Sequence, residues 1–208
     1  MTESLYKWLD ADRTTPTQKF RWPEDETLWT PNVKPVLCVS GWHGVEEKDV
    51  LKHLPGVGAV LYEVEVRGEV VRGGDKFCAE SMRFKYIVGE ATERNLRLFA
   101  CDVAEDVLPA FESRYPNDQR PRTAIEVARR YALGEATREE LAAADSAAWA
   151  AANSAAYWAA RSAAFSAAYS AANSAAYSAA NSAAYSAAYS AAWAKYSNWL
   201  VVRLESGY

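Results

Sequence analysis

Few residues of this chain could do chemistry. It has two histidines and three cysteines. His43 sits in the glycine turn Ser40-Gly41-Trp42-His43-Gly44, beside Trp42 and close to Cys38. An imidazole titrates near neutrality, so His43 suits ligand binding or acid/base work. The plainer alternative is a ring that hydrogen-bonds the turn's own backbone. No nucleophile stands at a spacing that would complete a catalytic set. Cys38 and His43 would give only part of the roughly four ligands zinc takes. His53 closes a short helical stretch, where a cation suits the dipole. Arg120 and Arg122 flank Pro121 at a helix start and could clamp a phosphate or carboxylate. Salt bridges to Asp118 or Glu126 would occupy them equally well. Trp8, Trp22, Trp29 and Trp42 either line a pocket or fill a small core. Phosphate-loop, dinucleotide-fold and zinc-protease motifs do not occur. No cofactor is expected.

These residues need elements to position them. Leu5–Leu9 reads as a short strand, and residues 10–35 as an ordered loop rich in proline and charge. Val36–Val39 reads as a buried strand that ends at the Ser40–Gly44 turn. Glu46–Leu54 reads as a short helix stopped by Pro55-Gly56. Ala59–Val71 alternates with period two, with Val60, Tyr62, Val64 and Val66 on one face. Gly68 marks a turn or bulge there. Phe77–Val88 supplies another strand, with Met82, Phe84, Tyr86 and Val88 on one face. Thr92 caps a helix reaching to about Arg114, with Leu96, Phe99, Val103, Val107 and Phe111 at helical spacing. Pro116 and Asp118 end it. Thr123-Ala-Ile-Glu126 and Thr137-Arg-Glu-Glu140 both match the capping box. Gly134 suits the left-handed exit of the helix between them. The expected fold class is α+β: a small mixed domain over 1–90, then a helical domain over 91–208, mostly helix across 137–205.

From Leu141 a four-residue repeat takes over. One register holds Trp149, Asn153, Tyr157, Arg161, Phe165, Tyr169, Asn173, Tyr177 and further aromatics. The next is mostly serine, and the remaining two are almost all alanine. Alanine is the best helix former. A tetrad drifts by about 40° per repeat, so the aromatic stripe winds around a straight helix after about nine repeats. A single helix over this tract would also reach about 100 Å. Breaks are therefore expected at Asn153-Ser154, Asn173-Ser174 and Asn181-Ser182, giving packed helices. Aromatic stripes on helices are usually core. A groove lined by Tyr157, Arg161, Tyr169 and Tyr177 is the sharper alternative, suited to a small polar ligand. An ice-binding face is disfavoured, because the drift denies it flatness.

Composition narrows the function classes. The 208 residues carry a formal net charge of -4. That argues against a nucleic-acid binder driven by charge. All but five charged residues precede residue 141 (the exceptions are Asp145, Arg161, Lys195, Arg203 and Glu205). No apolar run approaches the roughly eighteen residues of a membrane span. The start, MTESLYKWLD, lacks the pattern of a signal peptide. Three scattered cysteines fit a reducing cytoplasm.

Two resemblances add to this reading. The pattern Cys101-Asp102, Val107-Leu108-Pro109, Phe111-Glu112, Pro116, Asp118, Arg120-Pro121-Arg122, Ala124-Ile125-Glu126, Ala128-Arg129 and Gly134-Glu135 resembles an immunity-protein family of polymorphic toxin systems. It spans about 95–170. The SAAY/SAAN tract departs from that family, whose helices are less regular and carry histidines. Tyr6-Lys7, Trp22, Cys38, Gly41, His43, Leu61, Glu63-Val64, Gly68 and Lys76 resemble a domain of unknown function from actinobacterial and phage proteins, over about 1–88. Together they imply a phage or mobile-element gene whose product acts in the host cytoplasm.

The expected function is a non-enzymatic inhibitor, immunity-like or directed against a host defence. Its partner would be a protein toxin, a defence component or a sequestered nucleotide-like signal. Alternatives are a nucleotide- or NAD-directed enzyme using the N-terminal module, and a purely structural helical assembly. Alanine and serine faces could also pair copies of the chain into a homo-oligomer. The candidate ligand-binding residues are His43, Trp42, Arg120, Arg122, Tyr157, Arg161, Tyr169 and Tyr177.

Overall fold

The computed structural model describes residues 4–16, 19–148 and 191–206. The expected helix breaks at residues 153, 173 and 181 lie outside these, as do Tyr157, Arg161, Tyr169 and Tyr177. The chain divides into two compact units, residues 1–96 with 191–208, and residues 97–190.

The first unit is built on four antiparallel strands: β1 (Leu5–Leu9), β2 (Trp42–Glu46), β3 (Val60–Arg72) and β4 (Phe77–Glu90). They close into a barrel in the order β1-β2-β4-β3. Two 3-10 turns, Glu47–Asp49 and Leu51–His53, follow β2 where the sequence suggested one helix. Side chains alternate between the two faces of a strand. Leu5, Leu9, Tyr62, Val64, Phe77, Ala79, Met82 and Phe84 therefore gather inside, and Trp22 joins them from the loop. Trp42, Val60, Val66 and Val70 pack against this cluster. Gly44 is required by close approach, because a Cβ there would lie 2.5 Å from the Phe77 ring and 2.8 Å from the Tyr6 carbonyl. The mixed sheet-and-helix architecture is the α+β class expected.

The outward face of β1 is also apolar: Tyr6 and Trp8 are buried, as are Val45 and Leu61 of the neighbouring strands. The helix at residues 191–206 lies against this unit. Ser197 Oγ accepts the Leu51 N–H at 3.1 Å. A Cβ on Gly89 would come within 2.5 Å of the Leu204 carbonyl. Leu200 and Leu204 are buried, each contributing about 1.5–3 kcal/mol by its removal from water.

Three further local expectations change. Val36–Val39 is not a buried strand but part of a tight turn, in which Ser40 pairs with Val36, and Val39 is 73% exposed. The strand starts at Trp42, inside the stretch read as the turn, because Trp42 and Gly44 face the core and the apolar valines do not. Tyr86 does not share a face with Phe84. Phe84 pairs with Val64 and Tyr86 with Glu63, so Lys85 is an extra residue that flips the alternation. Third, Thr123 caps nothing. Helix α2 (Arg120–Ala132) starts earlier, with Pro121 in its first turn, and the Thr123 N–H already bonds the Gln119 carbonyl. Proline's fixed φ and missing N–H favour that earlier start.

Other features agree with the sequence. Gly68, at φ +77°, sits in a bulge between Arg67 and Val70. Thr92 Oγ1 accepts the Asn95 N–H at the start of α1 (Glu93–Glu112). Gly134, at φ +79°, ends α2, with Gly134 N–H bonded to Tyr131 O and Glu135 N–H to Arg130 O. Both halves of the second capping box form: Thr137 N–H to Glu140 Oε2 at 2.7 Å, and Glu140 N–H to Thr137 Oγ1 at 3.2 Å. Residues 138–148 continue as helix.

Candidate functional site

Two places hold the sequence-derived candidates that fall among the described residues: the turn into β2, with Trp42 and His43, and the connection between α1 and α2, with Arg120 and Arg122.

At the turn, Gly41 has φ +93° and its Cα hydrogens face Pro35, where a Cβ would sit 3.0 Å from the Pro35 Cα. Ser40 Oγ donates to the Lys34 carbonyl at 2.6 Å. His43 Nε2 accepts the Cys38 N–H at 3.0 Å. That bond needs the neutral ring. Burial and then the nearby Lys7 charge push the His43 pKa down, while a backbone bond to Gly41 acts the other way. The imidazole thus serves as a bolt across its own turn. Trp42 Nε1 donates to the Pro31 carbonyl at 2.8 Å. Its ring meets Phe20 and Trp22 edge-on, at 4.9 and 5.4 Å.

Lys7 was not a candidate on sequence grounds. It lies between Leu5 and Leu9 on the inward face of β1, opposite Tyr62. Its Nζ donates to the His43 carbonyl at 2.7 Å. Burial pushes its pKa down to about 8. Only the strand register shows which face it takes.

In the second unit, the α1–α2 connection is organised by arginines. Arg120 forms a two-pronged bridge to Asp118, at 2.8 and 2.6 Å. Arg120 hydrogen-bonding holds the Asp118 carboxyl below the usual carboxylate range. Arg122 bridges Glu112 in the same way, at 2.7 and 2.8 Å. Arg129 reaches Asp102 at 2.9 Å and Glu105 at 2.7 Å. Arg122 and Arg129 therefore tie α2 to α1. Arg97 lies over the Tyr131 ring at 5.0 Å.

A cleft of about 780 Å³ opens beside this connection. Arg114, Asn117, Asp118, Arg120 and Thr123 supply its polar wall. Tyr115, Pro116, Ala144 and Ala147 supply its apolar one. The structure thus brings Arg120 to a cleft and engages Arg122 with Glu112. Sequence reasoning missed Arg114 and Tyr115. Their one signal is position, in the short Pro- and Asn-bearing turn that joins two helices.

Among the described residues, no three or more His, Cys, Asp or Glu side chains group as they would around a metal ion. No described helix is long and apolar enough to cross a membrane.

Comparison with known proteins adds one match. A family model described as "Imm-5 like putative immunity protein" matches residues 87–198, more than half of the chain. No curated protein matches, and no solved structure does.

Proposed function

The chain belongs to the Imm-5 like immunity-protein family, and from that premise we propose that it neutralises a protein toxin by binding it. The observation that carries this reading is the family match over residues 87–198, which takes in α1 and α2. Binding, rather than catalysis, is also favoured by His43, whose Nε2 lone pair is occupied by a backbone N–H.

The long connection between β1 and β2 offers a surface for such a partner. Phe20, Leu28, Val33, Val36 and Val39 are all exposed along it. Exposed apolar side chains gathered on a held loop are a common feature of protein-binding surfaces. The loop is pinned to the barrel. Ser81 Oγ donates to Thr30 O, and the Met82 N–H donates to Thr30 Oγ1, both out of water. Val33 N–H bonds Glu80 O. A pinned loop loses little freedom on binding, which favours affinity. An anti-defence role would use the same act of binding on another target.

The test is growth rescue. The chain is co-expressed with a toxin encoded beside its gene, and a stable complex is sought by size-exclusion chromatography. Restored growth with co-elution is the expected outcome. Leu28→Asp with Val39→Asp should weaken the complex without lowering the melting temperature, since both side chains are exposed. Survival without a complex, or no rescue at all, overturns the reading.

A further inference from the structure

We propose that the cleft beside the α1–α2 connection binds a small organic anion, a single carboxylate or phosphate carried on a flat ring. This goes beyond toxin neutralisation and does not rest on it.

The argument begins with charge. Arg120 and Asp118 cancel, because the guanidinium holds both carboxylate oxygens. Arg114 remains. Arg114 is one of the cleft's lining residues, and its guanidinium has no hydrogen-bond or ion-pair partner among the described residues. The other arginines of the connection, Arg122 and Arg129, are bridged to carboxylates of α1. The cleft therefore presents one unopposed, permanent positive charge on a chain of net charge -4. A guanidinium's planar fork suits a carboxylate or a phosphate.

Shape supplies the rest. The volume, about 780 Å³, falls in the range of small-molecule sites. The Tyr115 ring is held against Phe111, with centroids 5.0 Å apart. Tyr115 and Pro116 give flat apolar surfaces, and Ala144 and Ala147 leave room because their side chains are short. Asn117 and Thr123 add uncharged polar groups that could read the ring's edge. A flat body against Tyr115, with its anion on Arg114, satisfies both walls at once.

The experiment is isothermal titration calorimetry on the full chain with three probes: adenosine 5′-monophosphate, indole-3-acetate and adenosine. Saturable binding of one anionic probe is expected, with uncharged adenosine weaker by about tenfold or more. Whichever anion binds tells phosphate from carboxylate. Arg114→Gln should weaken that binding by about tenfold, and Arg114→Lys should recover part of it. Ala147→Trp should block it by filling the cleft. Arg114 is exposed, so its variants should keep the parent melting temperature. If neither anion binds, or if Arg114→Gln binds as the parent does, the proposal is overturned. Growth rescue by Arg114→Gln, measured alongside, shows whether toxin neutralisation stands apart from the cleft.

Discussion

The barrel and the α1–α2 pair solve the problem of polar groups in opposite ways. The barrel buries several of them and pairs them over long stretches of chain. Thr30 meets Ser81 and Met82, Trp8 Nε1 meets the Val50 carbonyl, and Ser197 meets Leu51. Helix α2 has no fully buried residue. Its ties to α1 include partly exposed arginine–carboxylate bridges. Buried hydrogen bonds leave costly orphans when one partner is lost. Exposed ion pairs are worth little each. The barrel interior should therefore be intolerant of change and the helical surface permissive.

That contrast can be broken most directly in the barrel interior. Phe77→Ala empties the centre of the cluster, where Phe77 has no exposure. A loss of about 3–5 kcal/mol is expected, read by urea denaturation. A loss near that of a surface substitution would mean the barrel is not the stable half.

Lys7 sharpens the contrast, because it is a charge inside the same barrel. Its folded pKa, about 8, lies below the ordinary 10.5. Between those values the unfolded chain binds more protons, so folding stability rises with pH across that window. Below it both states are protonated, and the full cost of burying the charge is felt. Lys7→Met should therefore stabilise the protein at pH 7 by about 1–2 kcal/mol. It should also flatten the rise between pH 8 and 10.5. Denaturation curves of both proteins at several pH values check this. An unchanged slope would mean that Lys7 reaches water freely.

The smallest effect belongs to the helical unit. Thr137→Ala removes one half of the capping box and should cost about 1 kcal/mol. The change should show as faster amide exchange in residues 138–141, with the barrel amides unaffected. Loss of barrel protection as well would show that the two regions unfold together.

Much of the fold was legible where the signal is local. Period-two alternation placed β3 and β4, a short apolar run placed β1, and Gly68 and Gly134 marked positions that need positive φ. Thr92 and Thr137 announced helix starts through bonds to residues only three positions away. Local signals also misled. Thr123-Ala-Ile-Glu126 has the capping-box pattern, but Pro121 starts the helix first. The valines at 36 and 39 look like core and are exposed, because the turn around them is set by Ser40, Gly41 and His43. Tyr86 kept the right parity only until the bulge at Lys85.

The candidate site was half legible for the same reason. His43 in a glycine turn and the arginines around Pro121 were visible as residues, but their partners were not. Glu112, the partner of Arg122, lies on another helix, and its own type says nothing of the pairing.

The amino-acid sequence by itself determined the α+β class, the acidic balance and most element boundaries, because these depend on side chains within a few positions of one another. Only the tertiary structure decided that four strands close into a barrel, that Lys7 points into it, that residues 191–206 lie against it, and that Arg114 meets no carboxylate among the described residues. These depend on which distant groups meet, and pairing is settled by the packing of the whole unit at once.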